Sequence, residues 1–285
     1  MTSVARVRRR DPTFPGLLAA IHDPPPRLFL RGSAGPALLD RPAVAIVGAR
    51  SCSSYGRSVA RSLARDLAAA GLVVVSGMAR GIDGEAHRGA LDGGGATVAV
   101  LGCGIDRDYP AAHGDLARRI AETGLVVSEY EPGVEPAPWR FPARNRIIAG
   151  LCRATLVVEA RERSGALVTA DFALEEGREV LAVPGEITSS LSSGTNALLR
   201  LGATPVTRVD DVLEVFGLEP VVATGVVALG PTAERLLARL EAGALTADEV
   251  VRASGVEPGA GAAALVELEL AGRVTLEDGI YRAAV

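Results

Sequence analysis

Residues 43 to 77 read AVAIVGARSCSSYGRSVARSLARDLAAAGLVVVSG. Two apolar, β-branched runs flank a segment of helical spacing, and glycines stand at both junctions, the signature of a βαβ unit. Neither run alternates with polar residues. A strand apolar on both sides must be covered on both faces, which is the situation of a parallel sheet between helical layers.

The same grammar continues outward. VAIVG and LVVVSG are followed by TVAVLG, LVVSE, TLVVEA, EVLAVPG and ATPV, which predict about seven strands. Helical patterns fall between them at Tyr55–Ala70, Gly84–Asp92, His113–Thr123, Arg144–Leu151, Val168–Glu176 and Asn196–Leu201. The expected fold is α/β, a Rossmann-like, doubly wound and mostly parallel sheet. Beyond it, helical patterns at Thr232–Glu241, Ala247–Ala253 and Gly259–Ala271 precede RVTLEDGIYRAA, where Asp278-Gly279 signals a hairpin. Three helices and a hairpin describe a small C-terminal winged helix. The expected organisation is residues 1–40 as a basic arm and proline-rich lead-in, 41–217 as the Rossmann-like domain, 218–230 as a linker and 231–285 as the winged-helix-like domain. Arg6, Arg8, Arg9 and Arg10 read as a short disordered basic terminus, with a basic arm on DNA as the other reading.

Composition removes several classes of function. The 285 residues contain no lysine, so all 30 basic side chains are arginine; Schiff-base catalysis and the P-loop phosphate lysine are excluded. Cys52, Cys103 and Cys152 are too few and too scattered for a disulfide framework or a zinc site, and are expected to be reduced. No apolar run reaches membrane-spanning length and the start lacks a signal-peptide core, so the expected location is the cytoplasm. The formal net charge is −4, and residues 231 to 285 hold five arginines against nine acids, which leaves 25 of each before them. A phosphate-binding surface therefore belongs to the larger domain. The third C-terminal helix offers Gly, Ala, Glu267 and Glu269 where a duplex reader would place basic and amide groups, which favours protein contact or a structural role.

Within the larger domain, residues 139 to 153, WRFPARNRIIAGLCR, carry Arg140, Arg144, Arg146 and Arg153 without one acid. Guanidinium forks, the Asn145 amide and the rings of Trp139 and Phe141 are groups that grip phosphates and stack on bases. The rings are equally compatible with a place in the core. An acid-free arginine run implies a nearby anion, while Ile147, Ile148 and Leu151 turn inward by their spacing. In a doubly wound sheet ligands meet the turns beyond the carboxyl ends of the strands. Those turns supply Gly48, Arg50 and Ser51 after the first strand of the pattern, Ser76 and Gly77 after the second, Ser164, Gly165 and Thr169 at one helix start, and Gly194, Thr195 and Asn196 at another. Hydroxyls and helix N-termini bind anions without sequence selectivity, though helix capping alone also explains Ser164, Thr169 and Thr195. No G-x-G-x-x-G fingerprint occurs, and no cofactor is expected. Asp83 is expected to cap its helix and His87 to be a satisfied core histidine, so no bound metal is expected either.

Several blocks resemble, in order, the DNA-processing protein A family (DprA, or Smf). They are AIVGARSCSSYG from Ala45, VVSGMARGIDGEAHRGAL from Val74, TVAVLGCGIDRDYP from Thr97, LVVSEYEPG from Leu125, FPARNRIIAGL from Phe141, SGALVTADFALEEGREVLAVPG from Ser164 and SGTNALLRLGA from Ser193. The resemblance spans roughly residues 11 to 217. It implies a non-enzymatic protein that binds single-stranded DNA, places Arg50 in the strand pocket and makes Phe141 the first residue of a motif. It further implies protection of incoming strands in natural transformation, assistance in loading the RecA recombinase, and a homodimer. Many members carry a helical domain upstream, for which the lead-in offers no room. The competing expectation is a nucleotide-processing enzyme like the phosphoribohydrolases. Those use a doubled glycine in the phosphate turn and an early glutamate, whereas the nearest stretch here, SGALVTADFALEEG from Ser164, lacks the doublet and places Glu175 and Glu176 late in its helix.

Overall fold

The computed structural model describes residues 4–218, 229–277 and 279–283, in two compact units that divide after residue 221. The larger unit is built on one sheet. Its strands are β1 (Val4–Arg8), β2 (Arg27–Arg31), β3 (Ala43–Val47), β4 (Val73–Ser76), β5 (Thr97–Val100), β6 (Leu125–Ser128), β7 (Ala154–Val157), β8 (Glu179–Ala182) and β9 (Thr204–Pro205). Their spatial order is β1-β2-β6-β5-β4-β3-β7-β8-β9. The seven strands from β3 to β9 are the seven read from the sequence, and they pair in parallel.

Two further strands precede these seven, and the first corrects the expectation of a disordered basic terminus. β2 pairs antiparallel with β6, and β1 pairs antiparallel with β2, with Val4 opposite Arg31 and Arg8 opposite Arg27. The partner strand supplies what the arginine-rich VARVR lacks on its own, since strand preference follows packing and pairing more than composition. Val7 is buried while both its neighbours are exposed, and Leu28 and Leu30 are buried within β2.

The helices of this unit are α1 (Gly16–Ala19), α2 (Ser54–Ala69), α3 (Ile82–Asp92), α4 (Gly114–Thr123), α5 (Arg140–Leu151), α6 (Gly165–Glu175), α7 (Ser193–Arg200) and α8 (Val209–Phe216). Alternation along β3 shows how the two layers are held. Ala43, Ala45 and Val47 pack with Leu18 of α1, Ile147, Ile148 and Leu151 of α5 and Ala166, Ala170 and Ala173 of α6. Val44 and Ile46 face the opposite way, onto Val59, Leu63 and Leu67 of α2, Ile82, Ala86 and Ala90 of α3, and Val212 and Leu213 of α8. A strand buried on both faces contributes apolar surface to two cores at once, at about 25 cal/mol per Å² removed from water.

The chain leaves β3 towards β4, β5 and β6, then returns through α5 to β7 on the other side of β3. β3 and β7 therefore flank the topological switch point, where the loops beyond the strand ends separate and open a crevice. Because α5 makes that return, its first turn arrives at the crevice.

The smaller unit has α9 (Pro231–Glu241), β10 (Leu245–Thr246), α10 (Ala247–Ser254), α11 (Pro258–Leu270), β11 (Val274–Glu277) and β12 (Ile280–Ala283), with strand order β10-β12-β11. Leu236, Leu237, Leu240, Val250, Leu265, Leu268 and Tyr281 form its core. This is a winged helix with one short strand more than the expected hairpin. Asp278 of the hairpin signal and residues 219–228 of the expected linker lie outside the described residues. Among the described residues no helix is long and apolar enough to cross a membrane.

Candidate nucleic-acid interface

A cavity of about 310 Å³ occupies the crevice. It is walled by the turn after β3 (Gly48, Arg50, Ser51), the start of α5 (Phe141, Arg144, Asn145) and the start of α6 with the loop before it (Arg161, Arg163, Ser164, Gly165, Thr169). Four arginines line it against one acid, Asp83. An excess of fixed positive charge in a crevice concentrates anions.

Arg144 forms the floor. Its side chain is buried, and its guanidinium donates to the carbonyl oxygens of Gly77 at 2.7 Å and of Val100, which ties α5 to the ends of β4 and β5. Its Nε has no partner. Burial pulls the Arg144 pKa down to about 10 against the opposing pull of Asp83, so the group is still a cation at neutral pH. Asp83 is buried beside it; burial raises its pKa and Arg144 counters that shift. Gly77 lies between the two, and a Cβ there would sit 2.6 Å from the Arg144 guanidinium and 2.7 Å from the Asp83 carboxylate. Any larger residue there would have to displace one of the two side chains. Asp83 does not cap α3 as expected: the N-cap is Gly81, and the carboxylate instead accepts from the backbone N–H of Ala79 at 3.3 Å, closing the turn.

Helix N-termini around the crevice differ in what covers them. At α2 the Glu159 carboxylate, nearly inaccessible to solvent, accepts from the Ser53 backbone N–H at 2.9 Å and the Ser53 hydroxyl at 2.5 Å. A Cβ on Gly56 would fall inside that carboxyl group. The chain's own anion thus occupies the place where the first turn of a Rossmann-like sheet would meet a phosphate, which corrects the expectation that the Gly48–Ser51 turn presents a free helix start. At α6, Ser164 caps Ala166 at 3.3 Å, and a Cβ on Gly165 would meet no atom within 4 Å. Asn145 donates to the Gly165 carbonyl at 3.0 Å and fixes this open end beside Arg144.

The aromatic groups divide in two. Phe141 is flanked by Tyr109, stacked at 5.2 Å between centroids, and by the Arg50 guanidinium 5.7 Å over its ring. Trp139 is 63% exposed, which removes the core reading, and Arg140 lies 4.8 Å over it and 5.1 Å over Tyr130.

The arginine run is dispersed. Arg146 is held by Glu129 at 2.7 Å and Asp23 at 3.0 Å, so the inference of a nearby anion from the acid-free run fails at that residue: the acids come from other segments. Arg153 precedes β7, at the opposite sheet edge, and lies over Phe216. Among the other expected contacts, Ser76 is buried and donates to the Ile46 carbonyl at 2.6 Å. Thr195 donates to the Ser192 carbonyl at 3.1 Å, and Asn196 bridges both backbone groups of Gly185. A Cβ on Gly194 would lie 2.7 Å from the Ala160 carbonyl oxygen, and the residue borders a second groove. These four residues brace the loops around the cavity and do not line it. Tyr109, Arg161 and Arg163 were not anticipated; the signal for the arginines was RERSG, basic residues directly before a helix cap.

His87 is buried, with Nδ1 2.7 Å from the Thr97 hydroxyl. That hydroxyl donates to the Val74 carbonyl, so His87 is the donor to it, and burial pulls its pKa down to about 3. Glu176 accepts from the His22 backbone N–H, and Glu175 ends α6. Both lie about 15 Å from the cavity end of that helix, from a rise of 1.5 Å per residue, too far to act on a ligand there.

The sequence profile of DNA recombination-mediator protein A matches residues 5–217, and that of the DprA winged helix domain matches residues 223–279. The chain belongs to the DprA family. It is 48% identical over 206 residues to DNA processing protein DprA of Streptococcus pneumoniae, covering 72% of each chain, and 45% identical over 208 residues to Protein Smf of Escherichia coli, covering 72% of this chain and 55% of that one. The crystal structure of the Streptococcus pneumoniae DprA is similar with a TM-score of 0.72 and 45% identity, covering 76% of this chain and 75% of that one. A Helicobacter pylori DprA structure, described by its single-stranded DNA binding mode, is similar with a TM-score of 0.68 and 30% identity, covering 76% and 98%. The DprA assignment places the chain among proteins of DNA processing and recombination.

Proposed function

We propose that the crevice between β3 and β7 holds the sugar-phosphate backbone of single-stranded DNA, and that the protein acts by binding, without catalysis. The observation that carries this is the cavity itself, whose lining has four arginines to one acid and one uncovered helix start. Arg50 and Arg144 neutralise phosphate charge, Gly165, Ala166 and Ser164 offer the α6 terminus, and Asn145 sets its position. Unpaired bases stack on exposed rings, which a duplex cannot offer. The described groups suit ligand retention; no nucleophile and base stand together in the cavity.

On this reading the protein shields incoming strands in transformation and recombination and assists RecA recombinase in replacing it, as a homodimer. The acidic winged helix contacts protein. Fluorescence anisotropy of labelled oligothymidine across a salt series tests the first claim: the expected result is tight binding, poorly competed by duplex, whose log affinity falls by about 0.7 per phosphate contact per decade of salt. Equal affinity for duplex, or none for either, overturns it. RecA filament growth on coated strands, with and without the protein, tests the second, and sedimentation tests the dimer.

A further inference from the structure

The antiparallel pairs β1–β2 and β2–β6 bring the end of β1 to the same sheet edge as the carboxyl ends of β3 to β8. Arg8 lies opposite Arg27, the Arg9 backbone N–H donates to Pro26 at 3.0 Å, and Asp11 closes the turn onto Arg8 at 2.9 Å. Arg9 and Arg10 are exposed, and among the described residues neither side chain makes a hydrogen bond or an ion pair. Charged residues within an edge strand blunt aggregation, which accounts for Arg6 and Arg8. It does not account for two further arginines in the turn.

Between this turn and the cavity four rim acids are matched by arginines: Glu129 with Arg146, Glu131 with Arg27, Glu135 with Arg107 and Asp108 with Arg31. Two more, Asp106 and Asp11, accept from the backbone N–H groups of Gly133 and Arg8. Among the described residues the arginines left along the rim without an ion pair include Arg140, Arg8, Arg9 and Arg10, an excess of cations over the two acids Asp11 and Asp106. Arg140 lies between the rings of Tyr130 and Trp139, midway along the path. From β3 to β1 is five strand spacings, about 24 Å at about 4.8 Å each, a span that several nucleotides bridge.

Building on the cavity reading above, we propose that the strand continues from the cavity across the ledge of Tyr130, Trp139 and Arg140 and ends against Arg9 and Arg10, which contact its phosphates without reading sequence. The occluded length is then set by the N-terminal turn and exceeds what the cavity covers alone.

The test compares oligothymidines of about 5 and about 25 nucleotides, short and long against typical single-strand site sizes, on the full chain and on the Arg9→Ala/Arg10→Ala variant. Loss of two phosphate contacts is expected to leave the short oligomer unaffected, weaken the long one by about tenfold, and reduce its salt slope by about 1.4. Arg9→Lys/Arg10→Lys should restore most of the long-oligomer affinity, because a point charge suffices there. Unchanged long-oligomer binding overturns the proposal, as does an equal loss at both lengths, which would trace the effect to the cavity. A full chain that binds neither length removes the cavity reading together with this extension.

Discussion

Helices α2 and α6 both begin at the same crevice, one after β3 and the other after β7, yet only one start can take a ligand. Glu159 satisfies Ser53 at the first, and the second has only a serine cap and an unobstructed glycine. A carboxylate from the end of β7 has taken the phosphate position of the first turn. On the proposed reading, anion binding then moves one strand along, to a place reached by α5. A doubly wound sheet therefore fixes where a ligand meets the protein, and a single buried side chain decides which turn meets it.

The largest test of this division is Arg144→Ala. It removes the partner of buried Asp83 and should cost about 3–5 kcal/mol of stability in urea unfolding, along with strand binding in whatever fraction stays folded. Arg144→Ala/Asp83→Asn should recover part of the stability without the binding; no recovery would mean that Arg144 matters chiefly through its carbonyl contacts. Arg50→Ala keeps the fold, because the side chain is exposed, and should weaken single-strand binding by about 1–3 kcal/mol in anisotropy titrations. Glu159→Gln keeps the shape and cancels the charge at α2, with an expected loss of about 1–2 kcal/mol in thermal or urea unfolding. If α2 is closed only by that charge, phosphate should stabilise this variant more than the parent. The smallest effect is expected from removing residues 219–285, which have a separate core: strand affinity should shift by less than about 0.5 kcal/mol, the usual scale for independent sites.

The comparison also shows what could be read in advance. Seven strands were legible because β-branched runs bounded by glycine leave few alternatives. β1 was not, since VARVR becomes a strand only when β2 lies beside it. Gly48, Arg50, Ser51, Phe141, Arg144, Asn145, Ser164, Gly165 and Thr169 line one cavity; the strand-end rule pointed to the turn residues, and the acid-free arginine run and the family resemblance to Phe141, Arg144 and Asn145. Ser76, Thr195, Asn196 and Arg146 shared their sequence character and went elsewhere. Their partners are backbone groups and acids, some of them far along the chain: Asp23 is 123 residues from Arg146. Local chemistry names the donors, and only the folded chain names the acceptors.

The floor of the cavity is bound to β4, β5 and α6 through Arg144 and Asn145 before any ligand arrives. On the proposed reading, a floor set in this way has little freedom left to lose, so the ordering cost of association falls on the nucleic acid and on the exposed arginines around it. Strands that are floppy in solution would surrender less stacking than purine-rich ones, and the protein would discriminate between them by their stiffness without touching a base edge.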